Sequence, residues 1–356
     1  MSVLVHVLSV SSLKGGVGKT TVTLGLASAA FSRGLRVLVV DLDPQADAST
    51  GMRVDLTAHG SIADVLAAVK EKTVRHAIAP SGWTRNHPGT VDVLIGSPAA
   101  TNYDTPHPTV RDIWKLEEAL ALVEADYDLV LIDTAPTLNA LARTAWVASD
   151  RVVLVTEPAL FSVAAADRAL RAIEEIRRGL SPRLQPLGII VNRFREHSAE
   201  HEYRLREMHD MFGPLVLVPS LPERSSLQQA QGSAQPVHLW PGPSAVEVAG
   251  LFDQLLEQVV QAAQTGGNPI MATAAAEEPV PADEPVPTDD AAPATESPET
   301  TDPNQSEDAA AAPSEDALED SVGTSGSSER AARRRGGGQD RADKKKKKNK
   351  KRSKDA

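Results

Sequence analysis

The residues with the clearest chemistry in this chain form one run near the amino terminus, Lys14-Gly15-Gly16-Val17-Gly18-Lys19-Thr20-Thr21. Glycines in such a run let backbone N–H groups turn toward phosphate oxygens at places where a Cβ would interfere. A lysine after the last glycine offers a point charge to the β- and γ-phosphates, and the threonine that follows offers a hydroxyl to Mg²⁺. The run therefore predicts a nucleotide-binding phosphate loop.

The loop departs from the usual phosphate-loop spacing at its entry. Ser12-Leu13 stands in place of the first glycine, and Lys14 adds a second lysine. The alternative interpretation is a glycine-rich turn with an accidental lysine. An apolar run over residues 3–11 predicts a buried strand before the loop, and residues 20–33, closed by Gly34, predict a helix after it. This context favours the phosphate loop, to which the helix N-terminus adds its dipole.

Short runs rich in Val, Leu and Ile recur along the first 265 residues, and most lack polar alternation, as expected of strands covered on both faces. The predicted strands cover residues 3–11, 36–41, 91–95, 128–133, 151–155, 187–192 and 215–218. The predicted helices cover residues 20–33, 61–70, 109–125, 138–148, 162–178, 198–211 and 244–264. Ser61 and Asp64 form a capping box at the start of the second helix. The alternation predicts an α/β fold, a mainly parallel sheet with helices on both faces and right-handed crossovers.

Composition divides the chain of 356 residues into three parts. Residues 1–265 contain 23 basic residues (Lys and Arg) and 29 acidic residues (Asp and Glu). Residues 266–329 contain no basic and 16 acidic residues, whereas residues 330–356 contain 14 basic and 3 acidic residues. Low hydrophobicity with dense charge cannot bury enough surface to offset chain entropy. We therefore expect a folded domain over residues 1–265, an acidic, Pro/Ala-rich disordered linker over residues 266–329 and a basic, disordered tip over residues 330–356.

The sequence KGGVGKTT resembles the deviant Walker A motif of the ParA/MinD family of P-loop ATPases. In that family the first lysine reaches across a nucleotide-sandwich dimer to the phosphates of the partner. The resemblance implies that Lys14 acts in trans, much as an arginine finger neutralises charge during phosphoryl transfer, while Lys19 acts in cis. It also implies ATP and Mg²⁺ as cofactors, and the preference for ATP over GTP follows from the family alone.

Two carboxylate motifs fall where this family places them. Asp41-Leu42-Asp43-Pro44-Gln45 resembles the ParA-type switch, and the run over residues 129–136 resembles a Walker B strand that ends in Asp133. A lone aspartate after a strand is more often a turn former or a helix cap. Three motifs in the right order favour a nucleotide site, in which Asp43 orients the attacking water. Asp41 then holds the Mg²⁺ shell or the loop, and Asp133 and Thr20 lie beside the metal.

Contacts with the adenine base have a weaker signal. Asn192 ends the sixth of these strands, where relatives often place a base-contacting side chain, and Pro222 lies in a loop that could cover the ring. The alternative is that Asn192 only caps a turn.

The residues over 221–236, with Arg224 before Leu-x-x-Ala and then Gly232 and Pro236, resemble a block of ParA proteins. Because the first strand starts at once, the chain resembles the short ParA type. The DNA-binding candidates are Arg224, Arg193 and Arg195. For Arg193 and Arg195 the alternative is ion pairing with the glutamates at positions 196, 200 and 202.

The basic tip offers a second candidate surface for a partner. Fourteen cations on a tether bind polyanions by counterion release, so the tip could hold DNA or acidic lipid. It could also fold back onto the acidic linker. The tip lacks the large apolar side chains of an amphipathic membrane helix, which argues against a membrane.

Short ParA proteins dimerise with ATP, bind DNA without sequence preference and release it when a cargo-bound partner stimulates their slow hydrolysis. The resemblance implies such an ATPase, which segregates a chromosome, plasmid or other cargo with a ParB-like or other activator. We then expect an ATP-dependent homodimer that is cytoplasmic and nucleoid-associated. The alternative is a MinD-like positioning ATPase at a membrane. The chain contains no cysteine, which excludes the iron–sulfur relatives and disulfides.

Overall fold

The computed structural model describes residues 6–57, 59–84 and 89–265. The predictions for the linker over residues 266–329 and for the basic tip over residues 330–356 lie outside the described residues. So does the start of the first predicted strand.

A seven-stranded sheet organises the described part of the chain, with the order β3-β4-β2-β5-β1-β6-β7. The neighbours β4, β2, β5, β1, β6 and β7 are paired in parallel, and only the edge strand β3 is antiparallel, to β4. The strands are β1 His6–Ser11, β2 Arg36–Asp41, β3 Ile78–Pro80, β4 Thr90–Leu94, β5 Leu129–Asp133, β6 Arg151–Thr156 and β7 Gln185–Val191. The predicted α/β class with a mainly parallel sheet is confirmed.

Helices cover the two faces of this sheet. They are α1 Lys19–Ser32, α2 Asp47–Gly51, α3 Ile62–Ala67, α4 Glu71–Ala77, α5 Val110–Leu120, α6 Ala140–Val147, α7 Leu160–Gly179, α8 Ala199–Phe212, α9 Ser225–Gly232 and α10 Pro243–Thr265. Short 3₁₀ turns cover Gly82–Thr84, Pro98–Tyr103, Glu124–Asp126, Gly213–Leu215 and Val237–Leu239. In the described ranges no helix is both long enough and apolar enough to cross a bilayer.

Alternate residues of the central strands enter two separate cores. Leu8 and Val39 pack in the core that also holds α1, α9 and α10, whereas Val7 and Leu38 pack in the core beneath α3, α5, α6 and α7. All four side chains are at most 3% exposed, although they point to opposite faces. Because these strands are buried on both faces, their sequences are continuous apolar runs, and such runs allowed the strands to be predicted from the sequence.

The first helix and the last helix of the described part approach each other very closely. A Cβ added to Gly25 of α1 would lie 2.1 Å from the ring of Phe252 in α10. Phe252 is fully buried, so only glycine leaves room for its ring at this crossing. This packing holds α1, the helix that follows the phosphate loop, against α10.

One predicted strand, over residues 215–218, is wrong. The segment makes a single parallel bridge between Val216 and Ile189 rather than a strand. Pro214 and Pro219 flank it, and neither has an N–H group to donate to a ladder. The capping box of Ser61 and Asp64 is confirmed, although α3 ends at Ala67.

Candidate phosphate-binding site

The phosphate loop connects the end of β1 to the start of α1. Gly16 and Gly18 have φ angles of 79° and 91°, in the left-handed region where a side chain causes strain. A Cβ at Gly18 would also lie 2.3 Å from Nδ2 of Asn192. At the loop entry, Ser12 Oγ accepts from Lys14 N at 3.0 Å. The backbone is thus held in a conformation that only glycine permits.

Lys19 is the strongest indication of what this loop binds. Lys19 is only 7% exposed, and no carboxylate in the described part of the chain lies within ion-pair distance of its ammonium group. Burial lowers the pKa of Lys19, and the charges of Asp133 and Asp43 only partly oppose that effect. Keeping a charged lysine in a largely buried position without a contacting carboxylate is costly. A nucleotide phosphate in the loop would supply the missing negative charge, so the site fits ATP.

Asp133 and Thr20 meet at the end of β5. Asp133 Oδ2 accepts from Thr20 Oγ1 at 2.7 Å, and Oδ1 accepts from Thr23 Oγ1 at 2.9 Å. Burial raises the pKa of Asp133 to about 6, and the hydrogen bonds from the two hydroxyls oppose this shift. The structure therefore brings together the hydroxyl and the carboxylate that were predicted to lie beside Mg²⁺, a cation that prefers such oxygen ligands.

Asp41 pairs in register with Asp133 on the neighbouring strand, but its contacts lead elsewhere. Asp41 Oδ2 accepts from both the N–H and the hydroxyl of Ser49, each at 2.7 Å, while Oδ1 is buried without a partner. Burial, together with the charge of Asp133, raises the pKa of Asp41 to about 7. Of the two roles predicted for Asp41, these contacts fit that of an anchor for the loop that leads into α2.

Asp43 lies on that same loop and is half-buried. Its Oδ1 accepts from Gln45 N at 3.0 Å, which fixes the carboxylate in a short turn. Burial raises the pKa of Asp43, and the nearby charge of Lys19 opposes the shift. The carboxylate of Asp43 is thus within electrostatic reach of Lys19.

Lys14 contacts its own chain in this structure. Its Nζ lies 3.3 Å from Glu157 Oε2 and donates to Ser162 Oγ at 3.1 Å. Glu157 Oε1 accepts from Arg193 at 2.8 Å, so one carboxylate holds two cations. Glu157 was missed from the sequence, although its signal was a carboxylate directly after a buried strand, as at Asp133.

Asn192 and Pro222 lie beside the loop. Asn192 is 2% exposed, and its Nδ2 donates to Val17 O at 2.8 Å. Pro222 is buried next to Phe194. One N–H of the Asn192 amide is therefore used by the loop backbone, and its second N–H and its carbonyl oxygen remain for another contact. Sequence reasoning gave no sign of Gln231, whose Oε1 accepts from Thr21 Oγ1 at 3.3 Å.

The arginines predicted for DNA binding are all ion-paired. Arg224 lies between Glu196 at 3.2 Å and Glu247 at 2.9 Å. Arg195 lies 2.6 Å from Glu223, and Arg193 binds the same Glu157 that holds Lys14. The alternative of ion pairing was anticipated for two of them, but with other glutamates.

The fold and the loop define a P-loop nucleotide-binding protein. A family model described as an AAA domain matches residues 5–186. The chromosome-partitioning ATPase Soj of Thermus thermophilus is 30% identical over 263 residues, which are 72% of this chain and 97% of that protein. The chromosome partitioning protein ParA of Caulobacter vibrioides is 29% identical over 246 residues, covering 66% and 87%.

A solved structure shares the fold. Cobyrinic acid a,c-diamide synthase from Mycobacterium smegmatis, determined with a bound ATP analogue and magnesium, superposes with a TM-score of 0.61 at 22% identity. The match covers 74% of this chain and 98% of the other. The chain belongs to the ParA/MinD family of P-loop ATPases, whose cofactors are ATP and Mg²⁺.

Proposed function

We propose that this protein is a ParA-type partition ATPase that positions a chromosome, plasmid or other cargo. The observation that carries the proposal is Lys19, which directly follows the glycines of the loop: the residue is largely buried, and none of the described carboxylates lies within ion-pair distance of its ammonium group. A bound triphosphate would compensate this charge, and the free energy so gained is available to stabilise an ATP-specific state. The similarity to Soj and ParA supplies the biological context.

The proposed reaction is hydrolysis of ATP to ADP and phosphate. Lys19 neutralises phosphate charge in cis, Lys14 does so in the partner of an ATP-dependent sandwich dimer, and Asp43 orients the attacking water. Thr20 and Asp133 hold the magnesium end of the site. We propose that hydrolysis stays slow until a cargo-bound activator of ParB type binds. The ATP-bound dimer is proposed to reside on the nucleoid.

For DNA we propose two contact regions. The three arginines on the domain are neutralised by glutamates, so each must exchange a carboxylate for a phosphate before it can contribute. The Lys/Arg-rich segment over residues 330–356 carries 14 cations against 3 anions and supplies the larger electrostatic attraction. We propose that residues 266–329 act as its tether and that residues 1–265 form the ATPase domain.

A DNA-binding assay on the purified full chain tests this proposal. Retention on a duplex of arbitrary sequence should require ATP and should fall steeply with salt concentration. Lys19→Ala should abolish the dependence on ATP, whereas Lys72→Ala, at an exposed lysine on α4, should leave it intact. A chain lacking residues 330–356 should bind more weakly and with a smaller salt slope. ATP-dependent binding to anionic phospholipid vesicles, with no binding to DNA, would instead support the membrane alternative.

A further inference from the structure

A series of buried hydrogen bonds runs from α6 to the segment that follows β5. The indole Nε1 of Trp146 donates to Ser11 Oγ at 2.8 Å, and Ser11 Oγ lies 3.0 Å from Thr134 Oγ1. Thr134 Oγ1 in turn donates to Val10 O at 3.0 Å. The side chains of Trp146, Ser11 and Thr134 form what we call the indole–hydroxyl series, and all three residues are at most 2% exposed.

The chemistry of these groups fixes the direction of every bond. An indole nitrogen can only donate, and a carbonyl oxygen can only accept. The hydroxyl hydrogen of Thr134 is used by Val10 O, so Ser11 must donate to Thr134 and accept from the indole. Turning either hydroxyl would leave a buried polar group unpaired. The series therefore holds its members in a single arrangement.

The indole–hydroxyl series ends next to Asp133, which was predicted to lie beside Mg²⁺. Val10 of β1 and Asp133 of β5 form the last pair in the register of these two strands. Ser11 and Thr134 directly follow them, so their hydrogen bond extends the contact by one residue beyond the paired strands. The backbone of Asp133 is thus fixed on both sides, by the sheet before it and by Thr134 after it.

The series also reaches the start of the phosphate loop. Ser11 is the last residue of β1, and Ser12 accepts from Lys14 N at the loop entry. After the loop, Thr20 donates to Asp133 Oδ2 at 2.7 Å. Because Mg²⁺ demands nearly ideal octahedral geometry, the loop and the end of β5 must keep one relative position to serve the same cation. Residues that support metal ligands from behind strongly affect metal affinity.

We propose that Trp146 is a positioning residue that holds Asp133 in place for Mg²⁺. It lies on α6, outside the phosphate loop, and acts through the hydroxyls of Ser11 and Thr134. The proposal rests on the metal role of Asp133 and is independent of the proposed function in partition.

The test measures how much Mg²⁺ strengthens the binding of ADP to the full chain, by calorimetry in Mg²⁺ and in EDTA. Trp146→Phe removes the indole N–H and keeps an aromatic ring. We expect its affinity for ADP in Mg²⁺ to fall about tenfold, the lower end of the range for residues that support metal ligands. In EDTA the affinity should stay within about twofold of the unsubstituted protein, because the loop backbone and Lys19 still bind the phosphates.

Thermal unfolding without nucleotide separates this role from a structural one. Trp146→Phe leaves the buried hydroxyl of Ser11 without its donor and should lower the unfolding temperature. Adding Ser11→Ala removes both partners, so the double variant should unfold at a higher temperature than the single one. The double variant should nevertheless keep the loss of affinity in Mg²⁺. Trp114→Phe, at a half-buried indole packed against the same core, is the matched control and should bind ADP normally.

Should the variants at Trp146 not fold, substitutions of Thr134 test the same series. Thr134→Val keeps the shape and removes the hydroxyl, so it should lose affinity in Mg²⁺, whereas Thr134→Ser keeps the hydroxyl and should not. Equal losses with and without Mg²⁺, an unchanged effect of Mg²⁺, or its recovery in the double variant would overturn the proposal. If Mg²⁺ did not strengthen ADP binding by the unsubstituted protein, the metal role of Asp133 would fail and the proposal with it.

Discussion

Lys14 and Glu157 form an ion pair within one chain, with Nζ 3.3 Å from Oε2. The lysine that the family places on a partner's phosphates is thus held by its own protomer. The side chains are 37% and 23% exposed, so the pair is partly solvated and contributes at most about 1 kcal/mol. Formation of the proposed dimer requires this contact to break.

Glu157→Gln should therefore favour the dimer. Removing the carboxylate charge weakens the competing contact of Lys14 in each of the two protomers, and up to about 1 kcal/mol per protomer corresponds to an up to roughly 30-fold lower dissociation constant. Sedimentation with a non-hydrolysable ATP analogue measures the change. The control is Glu174→Gln, which removes the charge of a glutamate that likewise holds two cations, the guanidinium groups of Arg177 and Arg178. A dimer of unchanged or lower stability would contradict this interpretation of the ion pair.

Asp43→Ala should slow hydrolysis by at least about 100-fold, the usual contribution of a residue that positions a proton transfer. Binding of ATP should persist, because Lys19 and the loop backbone remain. Phosphate release in a single turnover measures the effect, and DNA retention in ATP should last longer. Asp47→Ala removes an exposed aspartate on the neighbouring α2 and should hydrolyse ATP normally. Normal turnover by Asp43→Ala would remove the proposed role.

Arg224→Glu should weaken DNA binding without affecting dimerisation. One lost phosphate contact lowers the slope of log affinity against log salt by about 0.9. Because Glu247 and Glu196 hold this guanidinium, Glu247→Gln should have the opposite effect and strengthen DNA binding. Arg171→Glu is the control, since Arg171 is also paired, with Asp167, but on α7. If Arg224→Glu and Arg171→Glu lower the affinity equally, the effect is one of net charge alone.

His6 should make the domain less stable in mild acid. Burial lowers the pKa of His6 to about 4, and the charge of Asp150 only partly opposes this. The unfolded chain, with a histidine pKa near 6.5, therefore binds a proton first as the pH falls. The free energy of unfolding should decrease between about pH 6.5 and 4, by at most about 3 kcal/mol.

Urea unfolding at about pH 7 and about pH 5 measures this dependence. His6→Gln should remove part of the decrease, whereas His107→Gln, at an exposed position, should follow the unsubstituted protein. The same decrease in both variants would show that other groups cause it.

The sequence predicted most of the fold because each parallel strand is a continuous apolar run, and because glycines and lysines mark the loop without tertiary information. The edge strand β3 was missed since three residues carry no periodicity. Glu157 and Gln231 were missed for another reason. Each contacts a residue more than 140 positions away, namely Lys14 and Thr21, and no local pattern encodes such a contact.

The arginines show a related limit. Their charge is evident from the sequence, but it does not reveal which carboxylates will fold against them. For Arg195, the alternative to DNA binding was an ion pair with glutamates nearby in sequence, but the pair that forms is with Glu223, on the segment before α9.

The contact between Gly25 and Phe252 has a consequence for synthesis. Helix α1 emerges from the ribosome early, but the ring that covers it belongs to the last described helix. The apolar face of α1 therefore stays uncovered while more than 200 further residues are made. Until then the nascent chain exposes an apolar surface that favours aggregation or chaperone binding.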